Sequence, residues 1–360
     1  MKNILFLILC GGMVACGAPT ETPKKEEKKV APTPVVPTTS YTTYVNPLMG
    51  TDSTFELSNG NTYPAIAVPW GMHFWTPQTG KMGDGWAYQY HAQKIRGFKQ
   101  THQPSPWIND YGAFALMPVV GNLKIKEDER ASWFSHKTET AQPHYYKVYL
   151  ADYDTTVEIT PTNRTAQFRF TFPETDKAYL LLDAFFKGSK VQVLPQERKI
   201  IGYARNNSGG VPENFHNYFV ITFDKDFESV QTWGNGYKLS NKPESEGEHT
   251  GAVIGFRTKK GEQITAKVAS SFISPAQALL NLQTELGNDT FAQTQQKAVA
   301  LWEAELGKIQ VEDENIDHLR TFYSCLYRTL LFPRTFYEYD KAGEIVHYSP
   351  YNGKIEKGYM

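Results

Sequence analysis

Much of the chain between residues 41 and 270 alternates apolar and polar positions in short runs. The alternation is clearest in QFRFTF, where Phe168, Phe170 and Phe172 occupy every second position. Because successive side chains of a strand point to opposite faces, the three rings share one face of a predicted β-strand. Other runs with strand composition are 145–150, 178–183, 218–223 and 252–256. Turn residues separate them, as in NNSGG at 206–210, so we predict a large antiparallel β-sandwich of about a dozen or more strands.

The pattern changes to helical after Pro275. Residues 275–286 and 290–308 are rich in Ala, Leu, Gln and Glu, which favour helices. In 315–332, NIDHLRTFYSCLYRTLLF, apolar residues recur at helical spacing. This predicts an amphipathic helix with a wide apolar face. Since the residues that follow it look extended, we expect that nothing later in the chain can cover that face.

The N-terminus has the pattern of a bacterial export signal. An apolar run over 4–15 follows Lys2 and is too short to span a bilayer as a permanent helix. The sequence MVAC at 13–16 resembles a lipobox, in which Cys16 becomes the lipidated first residue of the mature protein. An ordinary signal peptide with Cys16 incidental is the alternative. We favour lipidation because Cys16 follows the small residue Ala15.

Residues 17–40 contain no aromatic residue and mix proline with charged residues. Such a segment cannot bury enough apolar surface to become ordered, so it predicts a disordered tether. Outside the leader the chain contains a single cysteine, Cys325, which excludes a disulfide framework or a cysteine-based zinc site. The formal net charge of −1, from 37 basic and 38 acidic residues, argues against nucleic-acid binding because no strong field would attract phosphates.

One aromatic loop is a candidate binding element. Residues 101–112 read THQPSPWINDYG, and Pro104 and Pro106 exclude a regular helix or strand there. A rigid loop that combines stacking and hydrogen-bonding groups is typical of a binding site.

Six segments in order resemble glycoside hydrolase family 92. They are YVNPLMGT (44–51), NTYPAIAVPWGM (61–72), IRGFKQTHQPSPWINDYG (95–112), ALMPVVG (115–121), LYRTLLFPRTFYEYD (326–340) and HYSPYNGKIEKGYM (347–360). The loop after His102 departs from the family, because many members have a shorter segment of small residues there. This departure bears on fine specificity.

The resemblance implies a calcium-dependent, inverting exo-α-mannosidase that hydrolyses terminal α-mannosides of glycans. The implied fold is mainly β, with a β-sandwich, linker helices and the start of a truncated (α/α)6 barrel. The general acid, the general base and the calcium ligands are expected in that barrel, beyond Met360, so this chain alone is expected to be inactive. The expected parts are a signal peptide and lipobox (1–16), a tether (17–40), the sandwich (41–273), a helical linker (274–310) and the start of the catalytic domain (311–360).

The resemblance also implies that sandwich loops contribute to the substrate pocket. Trp86 is the first candidate for stacking on a sugar, with a core tryptophan as the alternative. His102 could donate to a sugar hydroxyl or brace the loop. Asp110 could accept from hydroxyls, but tying down the loop's amides is favoured. Trp107 could form a distal subsite or simply pack, and the sequence does not decide.

The expected partners are mannose-containing glycans and, through the lipid anchor alone, a membrane of the bacterial cell envelope, on either the periplasmic face or the outer-membrane surface. The alternative function is a non-catalytic carbohydrate-binding surface lipoprotein. The apolar face of the helix at 315–332, which we expect to be left uncovered, argues against that alternative, because an exposed face of this kind favours aggregation.

Overall fold

Short antiparallel strands dominate the computed structural model, which describes residues 40–52, 62–82, 87–103 and 110–360. The strands are β1 (Phe74–Gln78), β2 (Lys94–Ile95), β3 (Gly97–Thr101), β4 (Ala115–Val120), β5 (Ser132–Trp133), β6 (Thr140–Gln142), β7 (Tyr145–Leu150), β8 (Thr155–Pro161), β9 (Thr165–Phe172), β10 (Thr175–Asp183), β11 (Ser189–Leu194), β12 (Lys199–Ala204), β13 (Asn217–Phe223), β14 (Ser229–Gly234), β15 (Lys238–Ser240), β16 (Glu244–Gly247), β17 (Gly251–Thr258), β18 (Glu262–Ser271), β19 (Glu338–Tyr339), β20 (Ile345–Tyr348) and β21 (Ile355–Lys357). The helices are α1 (Glu127–Arg130), α2 (Pro275–Glu285), α3 (Phe291–Leu306) and α4 (Ile316–Thr329).

Two large sheets contain most of these strands. The first has seven strands in the order β1-β3-β4-β10-β17-β14-β15. The second has nine strands in the order β16-β11-β12-β13-β18-β9-β8-β7-β6. The five runs that the alternation pattern identified lie in β7, β9, β10, β13 and β17.

The main core lies between the two sheets. Trp75 of β1 is fully buried, and its ring centroid is 4.8 Å from that of Phe168 in β9 of the other sheet. The ring centroid of Phe114, the residue before β4, is 4.7 Å from that of Phe219 in β13. Since both sheets contribute rings to one continuous core, the predicted β-sandwich is confirmed.

Strand β9 shows how the alternating pattern produces this arrangement. Phe168, Phe170 and Phe172 are buried in the core, as their spacing predicts. Arg169 lies between them on the opposite face and donates to both oxygens of Glu158 on the neighbouring β8, at 2.7 Å each. The polar positions therefore form a cross-strand ion pair while the apolar positions fill the core.

Capping groups start the helices that follow the strands. The Ser274 hydroxyl accepts from the Gln277 amide at the start of α2, and Thr290 forms a capping box with Gln293 at the start of α3. Helix α2 packs on the nine-stranded sheet, where Ala278 contacts the cluster that includes Val220 of β13.

The apolar face of α4 is covered, so the expectation of an uncovered helix is wrong. Tyr323 and Tyr327 are fully buried against residues that precede them in the chain. Tyr41 lies 5.3 Å from Tyr323 between ring centroids, and the Tyr327 hydroxyl donates to the Ala65 carbonyl at 2.5 Å. The prediction considered only later residues, whereas segments before the sandwich strands and helix α3 provide the cover.

The residues after α4 form a small three-stranded sheet, β19-β20-β21. Glu338 of β19 is almost fully buried and joins this sheet to the sandwich. Its carboxylate accepts from the Ser271 hydroxyl at 2.9 Å, the Phe272 amide at 3.1 Å and the Asn281 amide group at 2.6 Å. Burial raises the pKa of Glu338, and these donors oppose that rise.

No helix among the described residues is both long and apolar enough to cross a membrane. The predictions for the leader, Cys16 and the tether up to residue 39 lie outside the described residues. The division of the body at residues 273 and 310 stays a prediction, because residues 40–360 group as one compact unit.

Candidate functional site

His102 and Asp110 lie together at the base of the aromatic loop. Strand β3 ends at Thr101, and both residues are fully buried just beyond it. The Asp110 carboxylate accepts from the His102 amide at 2.7 Å, from the His102 ring Nδ1 at 3.0 Å and from the Tyr111 amide at 2.7 Å. These are the contacts of a bracing role, because they join His102 to Asp110 and Tyr111.

The contact joins a histidine and an aspartate whose pKa values are both lowered in the folded protein. Burial lowers the pKa of His102, although the Asp110 charge opposes that change. Burial alone would raise the pKa of Asp110, but the His102 interactions and the Lys99 charge hold it below its usual value. A neutral imidazole with its proton on Nδ1 therefore faces an ionised carboxylate. His102 Nε2 is buried and has no hydrogen-bond partner among the described residues.

Tyr63 fixes the same end of β3 from the neighbouring segment. Its hydroxyl lies 2.7 Å from the Thr101 hydroxyl and donates to the Gln103 carbonyl. Burial raises the pKa of Tyr63 well above its usual value, with the Asp110 charge adding to the rise. The tyrosine therefore remains neutral and contacts both neighbours of His102, the hydroxyl of Thr101 and the carbonyl of Gln103.

A second buried histidine packs on the first. The His73 ring is 5.0 Å from the His102 ring in an edge-on arrangement, and both rings contact Phe272. Neither ring nitrogen of His73 has a partner within the described part of the chain. Burial lowers the pKa of His73 well below its usual value, with nearby His102 and Arg334 adding to the effect. His73 is thus neutral at physiological pH.

A cavity of about 380 Å³ adjoins this cluster. Its lining is Gln103, Tyr111, Val211, Phe215, Phe272, Arg334, Phe336, Pro350 and Met360. The lining is largely aromatic, with one guanidinium, and its volume falls within the range of roughly 300–1,000 Å³ that small-molecule sites occupy.

The structure brings together two of the four predicted pocket residues. His102 and Asp110 lie beside the cavity through their neighbours Gln103 and Tyr111. Trp86 and Trp107 lie outside the described residues, so their roles in stacking stay predictions.

Sequence reasoning missed the other members of the cluster: Tyr63, His73, Phe272 and Arg334. The available signal was the family resemblance of two segments. Tyr63 lies in NTYPAIAVPWGM, His73 directly follows that segment, and Arg334 lies in LYRTLLFPRTFYEYD. His73 contacts Phe272 across 199 positions of the chain, which spacing along one sequence does not reveal.

The described residues do not fit a calcium ion. Calcium takes roughly six to eight oxygen ligands, and the described segments contain no group of three or more His, Cys, Asp or Glu side chains able to hold a metal. Asp110, whose neighbour Tyr111 lines the cavity, already accepts three hydrogen bonds through its two oxygens.

Family comparison accounts for nearly all of the described chain. The model of the Glycosyl hydrolase family 92 N-terminal domain matches residues 44–271. The model of the family 92 catalytic domain matches residues 277–360.

The chain belongs to glycosyl hydrolase family 92.

Solved structures of this family share its fold. A family GH92 inverting mannosidase from Bacteroides thetaiotaomicron is 47% identical with a TM-score of 0.87, covering 90% of this chain and 44% of that one. A GH92 α-mannosidase from the same organism, in complex with mannoimidazole, is 33% identical with a TM-score of 0.78, covering 89% of this chain and 43% of that one. No curated protein matches the chain.

This family 92 chain therefore spans less than half the length of the mannosidases that it resembles. A more distant GH92 family glycosyl hydrolase is 23% identical and has a TM-score of 0.77, with 89% of this chain and 45% of that chain covered, so it shows the shared fold.

Proposed function

We propose that this chain is the N-terminal part of a calcium-dependent, inverting exo-α-mannosidase that removes terminal mannose from glycans. The observation that supports this most strongly is the 47% identity, over 90% of the chain, to a relative described as an inverting mannosidase. A second relative is described in complex with mannoimidazole, which favours a pocket for a mannose-like ring.

Inversion requires a carboxylic acid that protonates the leaving oxygen and a carboxylate that activates water on the opposite face of the sugar. The buried carboxylates of the described residues all accept hydrogen bonds from nearby groups; they are Asp110, Glu127, Glu158, Asp183 and Glu338. None is left free to form such a pair. We therefore assign the acid and the base to the part of a family 92 catalytic domain beyond Met360.

The described residues contribute binding and positioning. The His102–Asp110 pair and Tyr63 hold the base of the aromatic loop, and the cavity beside them offers aromatic faces to the C–H surface of a sugar. His102 Nε2 would accept from, rather than donate to, a sugar hydroxyl that reached it, because Nδ1 carries the proton. Calcium would be held by residues outside the described segments.

We further propose that Cys16 is lipidated and holds the enzyme at the bacterial cell envelope. The support is the MVAC sequence after an apolar run and the tether-like composition of residues 17–40. Mass spectrometry of the mature protein would test this, since diacylglycerol on Cys16 is expected and an unmodified new N-terminus would contradict it.

A non-catalytic carbohydrate-binding lipoprotein is the second candidate function. It is favoured by the covered face of α4, because Tyr323 and Tyr327 are fully buried within the described body. The aggregation argument against this candidate is thereby removed.

The deciding experiment expresses the gene in frame beyond codon 360 beside the 360-residue chain. We expect the longer protein to release mannose from α-linked mannobioses, with β-mannose as the first product by NMR. A chelator should abolish release and added calcium should restore it. Release that resists chelation would contradict the calcium dependence. Glycan binding by both proteins without release from any linkage would favour the binding lipoprotein.

A further inference from the structure

Among the described residues that line the cavity beside His102 and Asp110, one is cationic, Arg334 with its guanidinium. We propose that this cavity binds an acidic sugar, a hexose unit bearing a carboxylate or a phosphate, with the anionic group paired to Arg334. The inference rests on the proposed function only in expecting a sugar at this cavity.

The hydrogen-bonding capacity of Arg334 is largely unused. Its Nη1 donates to the Met72 carbonyl at 3.3 Å, and no other hydrogen bond or ion pair is formed by this guanidinium within the described segments. A guanidinium has five N–H donors in a planar fork that matches the paired oxygens of a carboxylate or phosphate. Most of that fork is therefore available to a ligand.

Two aromatic rings hold the guanidinium in place. Its central carbon lies 4.9 Å from the centroid of the Phe336 ring and 5.7 Å from that of Phe272. Both rings also line the cavity. Flanking rings restrict the side chain at low entropic cost, so the fork is positioned before a ligand arrives.

The nearby negative charge does not neutralise Arg334. Asp110 favours the charged form of Arg334 at a distance, but its oxygens accept from His102 and Tyr111. Burial lowers the pKa of Arg334 to about 10, so the side chain remains protonated at neutral pH. Positive charge thus remains in a largely apolar cavity, where a paired anion is stabilised more than in water.

The walls of the cavity select the rest of the ligand. Four aromatic rings present apolar faces to the cavity: those of Tyr111, Phe215, Phe272 and Phe336. The Tyr111 hydroxyl donates to the Gly209 carbonyl at 3.3 Å. A bare inorganic anion would leave these faces in contact with water, and a neutral sugar would leave the guanidinium without a partner. A pyranose that carries an anionic group uses both features.

Calorimetric titration of the 360-residue chain tests the proposal. The probes are mannose, mannuronate, mannose 6-phosphate and inorganic phosphate. We expect at least one of the two charged sugars to bind roughly tenfold or more tightly than mannose, with the stronger of the two identifying the anionic group. Arg334→Gln should remove this preference, and Arg334→Lys, which keeps the charge but not the fork, should retain part of it.

Arg320→Gln is the matched control, since this arginine is exposed on α4 and pairs with Asp317 at 3.1 Å. Equal affinity for mannose and both charged sugars, unchanged binding by Arg334→Gln, or no binding of any probe would overturn the proposal. Inorganic phosphate binding as tightly as the charged sugars would overturn its sugar component. If Arg334→Gln fails to fold, the preference of the natural chain for charged over neutral mannose still decides.

This experiment reads binding and not hydrolysis, so its failure is distinguishable from failure of the mannosidase proposal. If the longer protein releases mannose but the 360-residue chain does not bind the charged sugars more tightly than mannose, only the acidic-sugar proposal is rejected. If the 360-residue chain binds charged sugars selectively but the longer protein releases no mannose, only the hydrolase proposal is rejected.

Discussion

The Asp110 carboxylate accepts both the backbone amide and the ring Nδ1 of His102, at 2.7 and 3.0 Å, with both residues fully buried. This double contact closes the base of the aromatic loop and fixes the imidazole as the tautomer protonated on Nδ1. The described ends of the loop, residues 101–103 and 110–112, are thereby joined beside the cavity by a carboxylate whose two oxygens both accept hydrogen bonds.

Asp110→Asn tests how much this contact contributes to the free energy of unfolding. Asparagine keeps the shape but replaces one acceptor oxygen with an NH2 group, which would face an N–H donor of His102 or Tyr111. We expect the free energy of unfolding in urea to fall by about 1–3 kcal/mol, the cost of leaving a buried donor unpaired. Asp226→Asn, at an aspartate whose side chain is 94% exposed, is the control. Equal stability of the two variants would contradict the anchoring role.

The sandwich could be predicted from the sequence because each strand is recognised from the alternation of neighbouring residues. Phe168, Phe170 and Phe172 reach the core since a strand repeats every two residues, whatever the other sheet contains. The cover over α4 could not be predicted in this way. Tyr327 reaches Ala65 across 262 positions of the chain, and periodicity identifies an apolar face without identifying its partner.

The same limit applies to the candidate site. The composition of THQPSPWINDYG indicated a binding loop, and the position of Asp110 before Tyr111 and Gly112 suggested that it would tie down amides. Nothing in the spacing indicated that Arg334 would lie beside that loop. Its position depends on how the segment after α4 packs on the end of the sandwich.

A buried ion pair elsewhere in the sandwich gives a second stability prediction. Asp183 at the end of β10 lies 2.7 Å from Arg130 Nη1 and 2.7 Å from His249 Nε2. Burial opposes its ionisation, but the Arg130 charge and the His249 contacts lower its pKa overall. Asp183→Asn would leave the Arg130 charge buried without a counter-ion, so we expect a loss of about 3–5 kcal/mol in unfolding free energy.

Glu129→Gln provides the comparison for Asp183→Asn, because Glu129 pairs with Lys126 at 3.2 Å on the surface. Exposed pairs contribute about 0–1 kcal/mol. A loss at Asp183 no larger than that at Glu129 would show that Arg130 finds another partner.

His144 predicts a pH dependence of stability. Its side chain is buried, and burial lowers its pKa to about 4, with Glu303 opposing the shift. In the unfolded chain the pKa of this histidine is about 6.5, so between about pH 6.5 and 4 His144 is protonated in the unfolded state but neutral in the folded state. The stability contributed by neutral His144 is therefore complete above about pH 6.5 and is lost as the pH falls towards 4.

The measurement compares the natural chain with His144→Gln between pH 7.5 and pH 5. We expect the natural chain to lose about 2 kcal/mol more unfolding free energy over this interval than the variant loses. His318→Gln is the control, at an exposed histidine of α4 whose pairing with Asp313 contributes at most about 1 kcal/mol, so it should change the pH dependence less than His144→Gln does. Parallel curves for His144→Gln and the natural chain would contradict a neutral buried His144.

Glu303 of α3 holds the first residues of the described body, which gives a prediction about local opening. Its carboxylate accepts from the amides of Tyr41 and Thr42 at 2.8 and 3.0 Å and from the hydroxyls of Ser40 and Thr42 at 2.6 and 2.7 Å. Glu303→Gln removes the charge and one acceptor oxygen, so these donors should exchange partners with water more often. We expect hydrogen exchange at the Tyr41 and Thr42 amides to accelerate by about 10- to 100-fold, while exchange in strand β9 stays unchanged.

Glu305→Gln is the matched variant, because Glu305 lies on the same helix and its side chain pairs with Lys308. It should leave the exchange of the Tyr41 and Thr42 amides as in the natural chain. Because Tyr41 packs against Tyr323, opening of this segment would also expose one edge of the α4 face. Slow exchange retained in Glu303→Gln would mean that the ring contacts hold the segment without the carboxylate.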